Sequence, residues 1–127
     1  MKNIIKDSSR LFLGGNVLET YQNFFGTNKV YGVVKPVSEA EVIACIKYAN
    51  EYQMPIITRG ANTGAAGNQV PIIGGELIID LNLMNKVIVI DLKTMTLTVE
   101  VGITLKTVQR IADDLWQFKR QAFLDDL

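Results

Sequence analysis

The chain is 127 residues long, which suits one domain or a part of a larger one. Thirteen lysines and arginines balance thirteen aspartates and glutamates, so the chain lacks the basic excess that is typical of nucleic-acid binding. It contains no histidine, which excludes Ser-His-Asp and Cys-His catalysis and imidazole-ligated metal sites within this chain. The one cysteine, Cys45, allows no internal disulfide and is typical of a reducing compartment, so we expect the cytoplasm.

The first half of the chain is predicted to contain short helices and then a strand followed by a helix. Residues 1–26 have scattered apolar side chains that predict one or two short helices, and the β-branched run at 30–34 predicts a strand. Residues 38–52 predict a helix, because Ser38 is a favourable N-cap and Glu41 follows three residues later. Its predicted apolar face consists of Val42, Ile43, Ile46, Ala49 and Tyr52, with Cys45 packed among them as a small apolar residue.

The second half of the chain is predicted to be richer in strands. A strand at residues 54–58 completes a strand–helix–strand unit, which indicates a parallel pair of strands. A loop at 59–75 precedes three further strands, and the last two are close enough in sequence to form an antiparallel hairpin. A second helix begins at Thr104, whereas the segment from Trp116 to the end has no strong period. The three further strands are predicted at residues 76–81, 86–91 and 96–101.

The loop after the strand at 54–58 has the composition of a phosphate site. From Gly60 to Gly67 every residue is small or carries an amide, so none can fill a core. Such residues let the backbone approach a ligand closely, and glycines allow positive φ. Successive N–H groups in turns of this kind form a concave site for anions, phosphate above all. Thr63 adds a hydroxyl donor, and Arg59 adds a positive charge.

Composition alone leaves a tolerant surface loop as the alternative, since isolated glycine patterns are weak evidence. The loop is neither a Rossmann fingerprint nor a P-loop, because it lacks G-x-G-x-x-G and has no lysine after a glycine. No helical pattern follows it directly, so we expect no helix dipole to assist phosphate binding there.

The run from Pro55 to Pro71 resembles the pyrophosphate loop of FAD-linked oxidases of the vanillyl-alcohol-oxidase type, whose FAD-binding domain is called PCMH-type. Three flanking stretches resemble the glycolate oxidase and D-lactate dehydrogenase branch of these proteins. They are Val34-Lys-Pro-Val-Ser-Glu-Ala-Glu-Val42, Leu81-Asn-Leu-Met-Asn-Lys-Val87 and Thr98-Val-Glu-Val-Gly-Ile-Thr104. The chain departs from the usual pattern at Asn62, where a glycine is common, and at Ala65-Ala66, where the family usually has Leu-Ser.

The resemblance implies an α+β fold, namely the first lobe of the FAD-binding domain, with its small parallel unit, and the start of the antiparallel second lobe. It also implies non-covalent FAD and an oxidoreductase that oxidises 2-hydroxy acids such as D-lactate or glycolate while the flavin is reduced. No catalytic residue and no metal ligand are implied in this chain. The implied cofactor-binding residues are Arg59, Gly60, Ala61, Asn62, Thr63, Gly64, Gly67, Met84, Asn85, Val101, Gly102 and Thr104.

Members of this family are several hundred residues long, so the resemblance implies that residues 1–127 are an N-terminal part without the substrate domain, ending in an atypical tail at 117–127. We therefore expect the chain alone to be inactive and to self-associate through exposed strand edges. The alternative is a non-catalytic half-domain that oligomerises without binding FAD. An unrelated nucleotide or phosphate binder that reuses the loop is a third interpretation.

Overall fold

The computed structural model describes residues 1–13, 30–61 and 74–127. Within these ranges the chain forms a short 3-10 turn, six strands and two helices. The turn is Ser8–Arg10, the strands are β1 (Leu11–Leu13), β2 (Gly32–Val34), β3 (Ile56–Arg59), β4 (Leu77–Asp80), β5 (Val87–Asp91) and β6 (Thr96–Val99), and the helices are α1 (Glu39–Glu51) and α2 (Leu105–Asp125).

Four of the strands form one sheet in the order β1-β2-β4-β3. Strands β2, β4 and β3 run parallel, and β1 is antiparallel to β2. The predicted strand–helix–strand unit is therefore present with its strands parallel, but β2 and β3 are not neighbours. Strand β4 lies between them, and its residues are buried on both faces of the sheet, as is usual for a central parallel strand.

The prediction of helices over residues 1–26 is wrong for Leu11–Leu13, which form β1; residues 14–26 lie outside the described residues. Glycine in the neighbouring strand explains how β1 reaches the sheet. A Cβ atom at Gly32 would lie 2.6 Å from the carbonyl oxygen of Phe12, so only glycine allows this approach. The apolar side chains of β1 find a partner far along the chain, which local periodicity does not reveal.

The core lies on both faces of this sheet. One face packs against α1 through Ile5, Val34, Cys45, Ala49, Leu77 and Ile79. The other face holds the smaller apolar cluster of Val30, Val33 and Ile78, with Ile57 packed against it.

Helix α1 buries fewer of its apolar side chains against the sheet than its sequence predicts. Cys45 and Ala49 are fully buried, whereas Ile43 and Ile46 are about half exposed. The prediction that Cys45 packs as a small apolar residue is confirmed, and burial raises the pKa of its thiol to about 11.

The second, two-stranded sheet is the predicted hairpin of β5 and β6, which pair antiparallel. Its turn contains Met95 in the left-handed region, with φ 56°. Helix α2 then begins as predicted, because the Thr104 hydroxyl accepts a hydrogen bond from the backbone N–H of Thr107 at 3.2 Å. The helix continues through Asp125, although the sequence after Trp116 has no strong period.

An ion pair between Arg10 and Glu41 connects the N-terminal segment to the start of α1. The guanidinium donates to both carboxylate oxygens, at 2.7 and 3.0 Å, and also to the carbonyl oxygen of Lys35. Glu41 accepts a further hydrogen bond from the backbone N–H of Val37 at 2.8 Å, and its own N–H donates to the Ser38 hydroxyl. The predicted capping box is thus half formed, because the carboxylate caps Val37 rather than Ser38.

The hydrogen bonds from Arg10 hold the pKa of the Glu41 carboxyl below its ordinary value of 4.5. A carboxyl whose pKa is lowered by folding contributes stability above its unfolded pKa and loses it as the pH falls through the folded value. We therefore expect Glu41→Gln to lower the free energy of unfolding by about 1–2 kcal/mol at pH 7. Below pH 4.5, in the acid range, the stabilities of the two proteins should converge.

Urea unfolding followed by circular dichroism between pH 3 and pH 7 measures this difference. The matched control is Glu51→Gln, at the exposed end of the same helix, where the described residues provide no ion pair. An equal loss in both variants, or a loss as large at pH 3 as at pH 7, would contradict the assigned role of the Arg10–Glu41 pair.

Candidate functional site

The parallel strands β3 and β4 end side by side, with Arg59 opposite Asp80 in the register. Because both strands run in the same direction, the segments that follow them leave the same edge of the sheet. The backbone N–H of Leu81 donates to the carbonyl oxygen of Arg59 at 2.7 Å, which fixes the start of one segment against the other.

The turn after β4 is held against the end of the hairpin. The backbone N–H of Met84 donates to the carbonyl oxygen of Leu81 at 3.0 Å. The backbone N–H of Gly102 donates to the carbonyl oxygen of Met84 at 2.8 Å. Gly102 is buried, and a Cβ atom built there would lie 1.7 Å from the carbonyl oxygen of Leu81. This glycine is therefore required by contact with the chain's own backbone.

A cavity of about 310 Å³ lies where these segments meet the first turn of α2. This volume is at the low end for ligand pockets, so the cavity would enclose only part of a large cofactor. Four of the predicted cofactor residues line it, and they come from three segments that are distant in sequence. The lining residues are Ala61, Asn82, Asn85, Gly102, Ile103, Thr104 and Thr107.

The cavity lining is uncharged and combines asparagine and threonine side chains with small and apolar residues. Its two threonine hydroxyls, of Thr104 and Thr107, lie 2.8 Å apart at the N-terminus of α2, the end of the helix that carries a partial positive charge. Among the described residues that line it, none is acidic. A helix N-terminus with hydroxyls and amides and without carboxylates is a favourable setting for an anionic group. The sequence predicted no helix directly after the loop, and so no helix dipole to favour an anion there. The structure supplies such a dipole from a different element, the N-terminus of α2.

Three residues that line the cavity were not predicted from the sequence, namely Asn82, Ile103 and Thr107, and Asn82 is the most informative of them. Its side-chain Oδ1 is buried and has no hydrogen-bond partner among the described residues. Its backbone N–H donates to the Asp80 carboxylate at 3.1 Å. A buried acceptor without a partner carries a free-energy cost that a bound donor would remove. Asn82 lies in the same Leu-Asn-Leu-Met-Asn stretch as Asn85, which is the signal that could have identified it.

Two predicted residues lie elsewhere. The side chains of Met84 and Val101 line a second depression of about 510 Å³, between the start of α1 and the hairpin. We call it the α1–hairpin groove; its lining residues are Glu39, Val42, Leu81, Met84, Ile88, Glu100 and Val101. Within the described residues, Met84 is connected to the smaller cavity through its carbonyl oxygen, which accepts the hydrogen bond from Gly102.

The remaining predicted residues belong to the loop after β3. Arg59 is only 2% exposed, and its strand position places it on the same face as Asp80, which lies 4.0 Å from the Lys35 ammonium. Gly60 is exposed, and a Cβ atom there would meet nothing within 4 Å among the described residues. The other predicted loop residues lie outside the described residues: Asn62, Thr63, Gly64 and Gly67.

A family model described as "FAD binding domain" matches residues 30–119. This chain belongs to that family of FAD-binding domains. The matched segment begins just before β2 and ends within α2, so it includes every described residue that lines the cavity. The family predicted from the loop and its flanking stretches is confirmed.

Curated relatives include a mitochondrial D-2-hydroxyglutarate dehydrogenase of Arabidopsis thaliana, 27% identical over 88% of this chain and 19% of the relative. They also include a D-lactate dehydrogenase of Anaerostipes hadrus, 29% identical over 82% of this chain and 22% of the relative. The chain thus spans about a fifth of the length of the curated relatives it matches.

Among solved structures, p-cresol methylhydroxylase with bound substrate is similar with a TM-score of 0.75 and 25% identity, over 89% of this chain and 23% of that one. An alkyldihydroxyacetonephosphate synthase is similar in fold with a TM-score of 0.72 and 23% identity, over 86% of this chain and 22% of that one. The predicted fold class, the mixed PCMH-type architecture with a small parallel sheet, is confirmed.

In the part of the chain that the structure describes, neither helix has the length and apolar character needed to cross a bilayer. The cytoplasmic location stays a prediction from the single cysteine, since some relatives are named as mitochondrial enzymes.

The two glycines of the site should respond differently to the same substitution. Gly102→Ala forces a methyl group against the Leu81 carbonyl, so we expect the free energy of unfolding to fall by about 3 kcal/mol or more. Gly60→Ala, which has open space around the Cβ position among the described residues, should change it by less than about 1 kcal/mol.

Chemical denaturation of the two variants beside the parent chain measures both values. A Gly102→Ala protein as stable as the parent would show that the turn after β4 does not pack on Gly102 in solution.

Proposed function

We propose that this chain supplies the FAD-holding part of a flavin-dependent oxidoreductase that acts on 2-hydroxy acids. The observation that carries the proposal is the cavity at the edge of the parallel sheet, where Ala61, Asn85, Gly102 and Thr104 meet. The substrate class is supported by the relatives, since D-lactate and D-2-hydroxyglutarate are both 2-hydroxy acids.

The residues present fit a dinucleotide cofactor that carries a negatively charged diphosphate. The N-terminus of α2 and the Thr104 and Thr107 hydroxyls supply positive potential and hydrogen-bonding groups. Gly60 and Ala61 are exposed, and their backbone N–H groups are proposed to donate to the diphosphate. Asn62, Thr63, Gly64 and Gly67 are proposed to continue this contact.

The asparagine amides give the cavity a hydrogen-bonding edge. Asn85 is exposed beside it, and the buried Oδ1 of Asn82 is an acceptor that a donor on the cofactor would satisfy. Arg59 acts in this proposal through its place in the sheet, because its carbonyl oxygen holds the start of the turn that carries both asparagines.

When bound, the flavin supplies the redox chemistry, while the protein supplies binding and orientation. No titratable side chain is among the described residues that line the cavity, so these residues hold a cofactor and do not move a proton. The base that accepts the substrate hydroxyl proton is therefore proposed to lie outside this cavity.

We propose that FAD is bound non-covalently. The sequence contains no histidine for attachment, and burial raises the pKa of its one cysteine to about 11, so its reactive thiolate is scarce at neutral pH. Cys45 belongs to α1, packs against the sheet with Val34, Leu77 and Ile79, and is not among the described residues that line the cavity.

The first test is an FAD titration of the purified chain followed by desalting and an absorbance spectrum. We expect the protein to retain absorbance at about 450 nm after desalting. When the protein is precipitated with acid, all the flavin should be released into the supernatant. Flavin that stays with the precipitate would contradict non-covalent binding. A protein that stays colourless after FAD addition would favour the half-domain that does not bind the cofactor.

An isosteric pair of variants separates binding in the cavity from binding elsewhere. Asn85→Asp adds a carboxylate to the cavity edge, whereas Asn50→Asp makes the same change at the end of α1, beside the opposite edge of the sheet. A carboxylate about 10 Å from a phosphate costs on the order of 1–2 kcal/mol at an effective dielectric constant near 20. We expect the Kd for FAD to rise about tenfold for Asn85→Asp and to stay unchanged for Asn50→Asp. Equal effects would contradict the proposed site.

The second test concerns turnover. We expect no oxidation of D-lactate or D-2-hydroxyglutarate by the FAD-loaded chain with an artificial electron acceptor, because the cavity provides no base. The reference is the same concentration of free FAD. A rate clearly above that reference would contradict the placement of the base outside this cavity.

A further inference from the structure

The α1–hairpin groove lies outside the proposed cofactor cavity and shares no lining residue with it. Its floor is apolar, formed by Val42, Met84, Ile88 and Val101, and Ile88 and Val101 are 60% and 66% exposed. Two carboxylates lie among its lining residues, one on the first residue of α1 and one just after β6; they belong to Glu39 and Glu100. An apolar floor with acidic groups fits an occupant that has apolar and basic side chains on one face.

The second half of α2 presents such a face. Trp116, Arg120 and Phe123 follow one another at i, i+4 and i+7, and Lys119 lies beside them at i+3. Trp116 and Phe123 are 60% and 66% exposed, so both aromatic rings project largely into solvent. We call these four residues the α2 stripe; it contains no acidic residue. Large exposed aromatic side chains beside arginine are typical of interface centres.

Among the described residues that line the groove, none belongs to α2. Helix α2 starts near the groove in sequence, since Val101 precedes its N-cap by three residues. Trp116 lies eleven residues beyond Leu105, which corresponds to about 16 Å along a straight helix. Within its own chain, α2 meets the hairpin near Ala112 and Leu115, and the exposed Lys119 ammonium donates to the sulfur of Met95 at 3.3 Å.

We propose that the α2 stripe of one copy docks in the α1–hairpin groove of a second copy, and that the exchange is reciprocal, so that the chain forms a closed dimer. Two features support a second copy as the occupant. The groove and the stripe are complementary in both polarity and charge, and the net charge of zero means that no overall repulsion opposes association. This contact differs from the pairing of strand edges that the sequence predicts.

Charge reversal tests the contact with a built-in rescue. One variant carries Lys119→Glu and Arg120→Glu on the stripe, and the other carries Glu39→Lys and Glu100→Lys in the groove. Light scattering coupled to size exclusion should give a dimeric mass for the parent chain and a monomeric mass for each variant. An equimolar mixture should return to the dimeric mass, because each acidic stripe then meets a basic groove.

The matched control is Lys106→Glu with Arg110→Glu, which makes the same change of charge on exposed residues near the start of α2. It should stay dimeric, and circular dichroism should show that all variants keep their helices. A parent chain of monomeric mass across the concentration range would overturn the proposal and leave the groove to another partner. Dissociation of the control, or variants that do not restore the dimer when mixed, would also overturn it.

Discussion

The arrangement of this chain depends on one close backbone contact, between Gly102 and the turn that follows β4. The hydrogen bond from Gly102 to the Met84 carbonyl, at 2.8 Å, and the absence of a side chain at this glycine let the two segments touch. The contact joins the parallel sheet to the hairpin and to the start of α2. Without it, the end of the hairpin and the start of α2 would lose their hydrogen bond to the turn after β4, although Leu81 would still hold that turn to Arg59.

The direction of the strands then decides where the cavity lies. Strands β3 and β4 end together, so the loop after Arg59 and the turn after Asp80 share one edge of the sheet. The Gly102 contact brings the N-terminus of α2 to this edge, and with it two hydroxyls and a partial positive charge. The uncharged cavity, which lies next to the loop of small residues, therefore follows from the strand order and from one glycine. None of the described residues that line it carries an ionised side chain.

Local signals were enough to predict much of the fold, because they act over a few residues. Ser38 and Thr104 accept the N-cap hydrogen bonds of α1 and α2 as predicted, and the hairpin of β5 and β6 follows from its short turn. Strand β1 and the central position of β4 could not be predicted in this way. Both depend on partners distant in sequence, and the glycine that admits β1 to the sheet looks like any other glycine in a strand.

The candidate site was predictable through motifs but not in its geometry. Resemblance identified Asn85, Gly102 and Thr104, which line one cavity, together with Met84 and Val101, which line the groove instead. Which way each side chain of a turn points depends on the tertiary contact, and a motif does not carry that information. Asn82 was missed for the same reason, since an amide is informative only once its acceptor is seen to be buried without a partner among the described residues.

One stretch of backbone therefore serves two surfaces. In the turn after β4, the asparagines at 82 and 85 line the candidate cavity, while Leu81 and Met84 line the α1–hairpin groove. In the segment after β6, Gly102 lines the first and Val101 the second. Side chains on the two sides can change independently, but the backbone contact at Gly102 cannot move without altering both. Gly102 is thus explained by backbone packing, whereas Leu81, Met84 and Val101 place apolar groups along the groove.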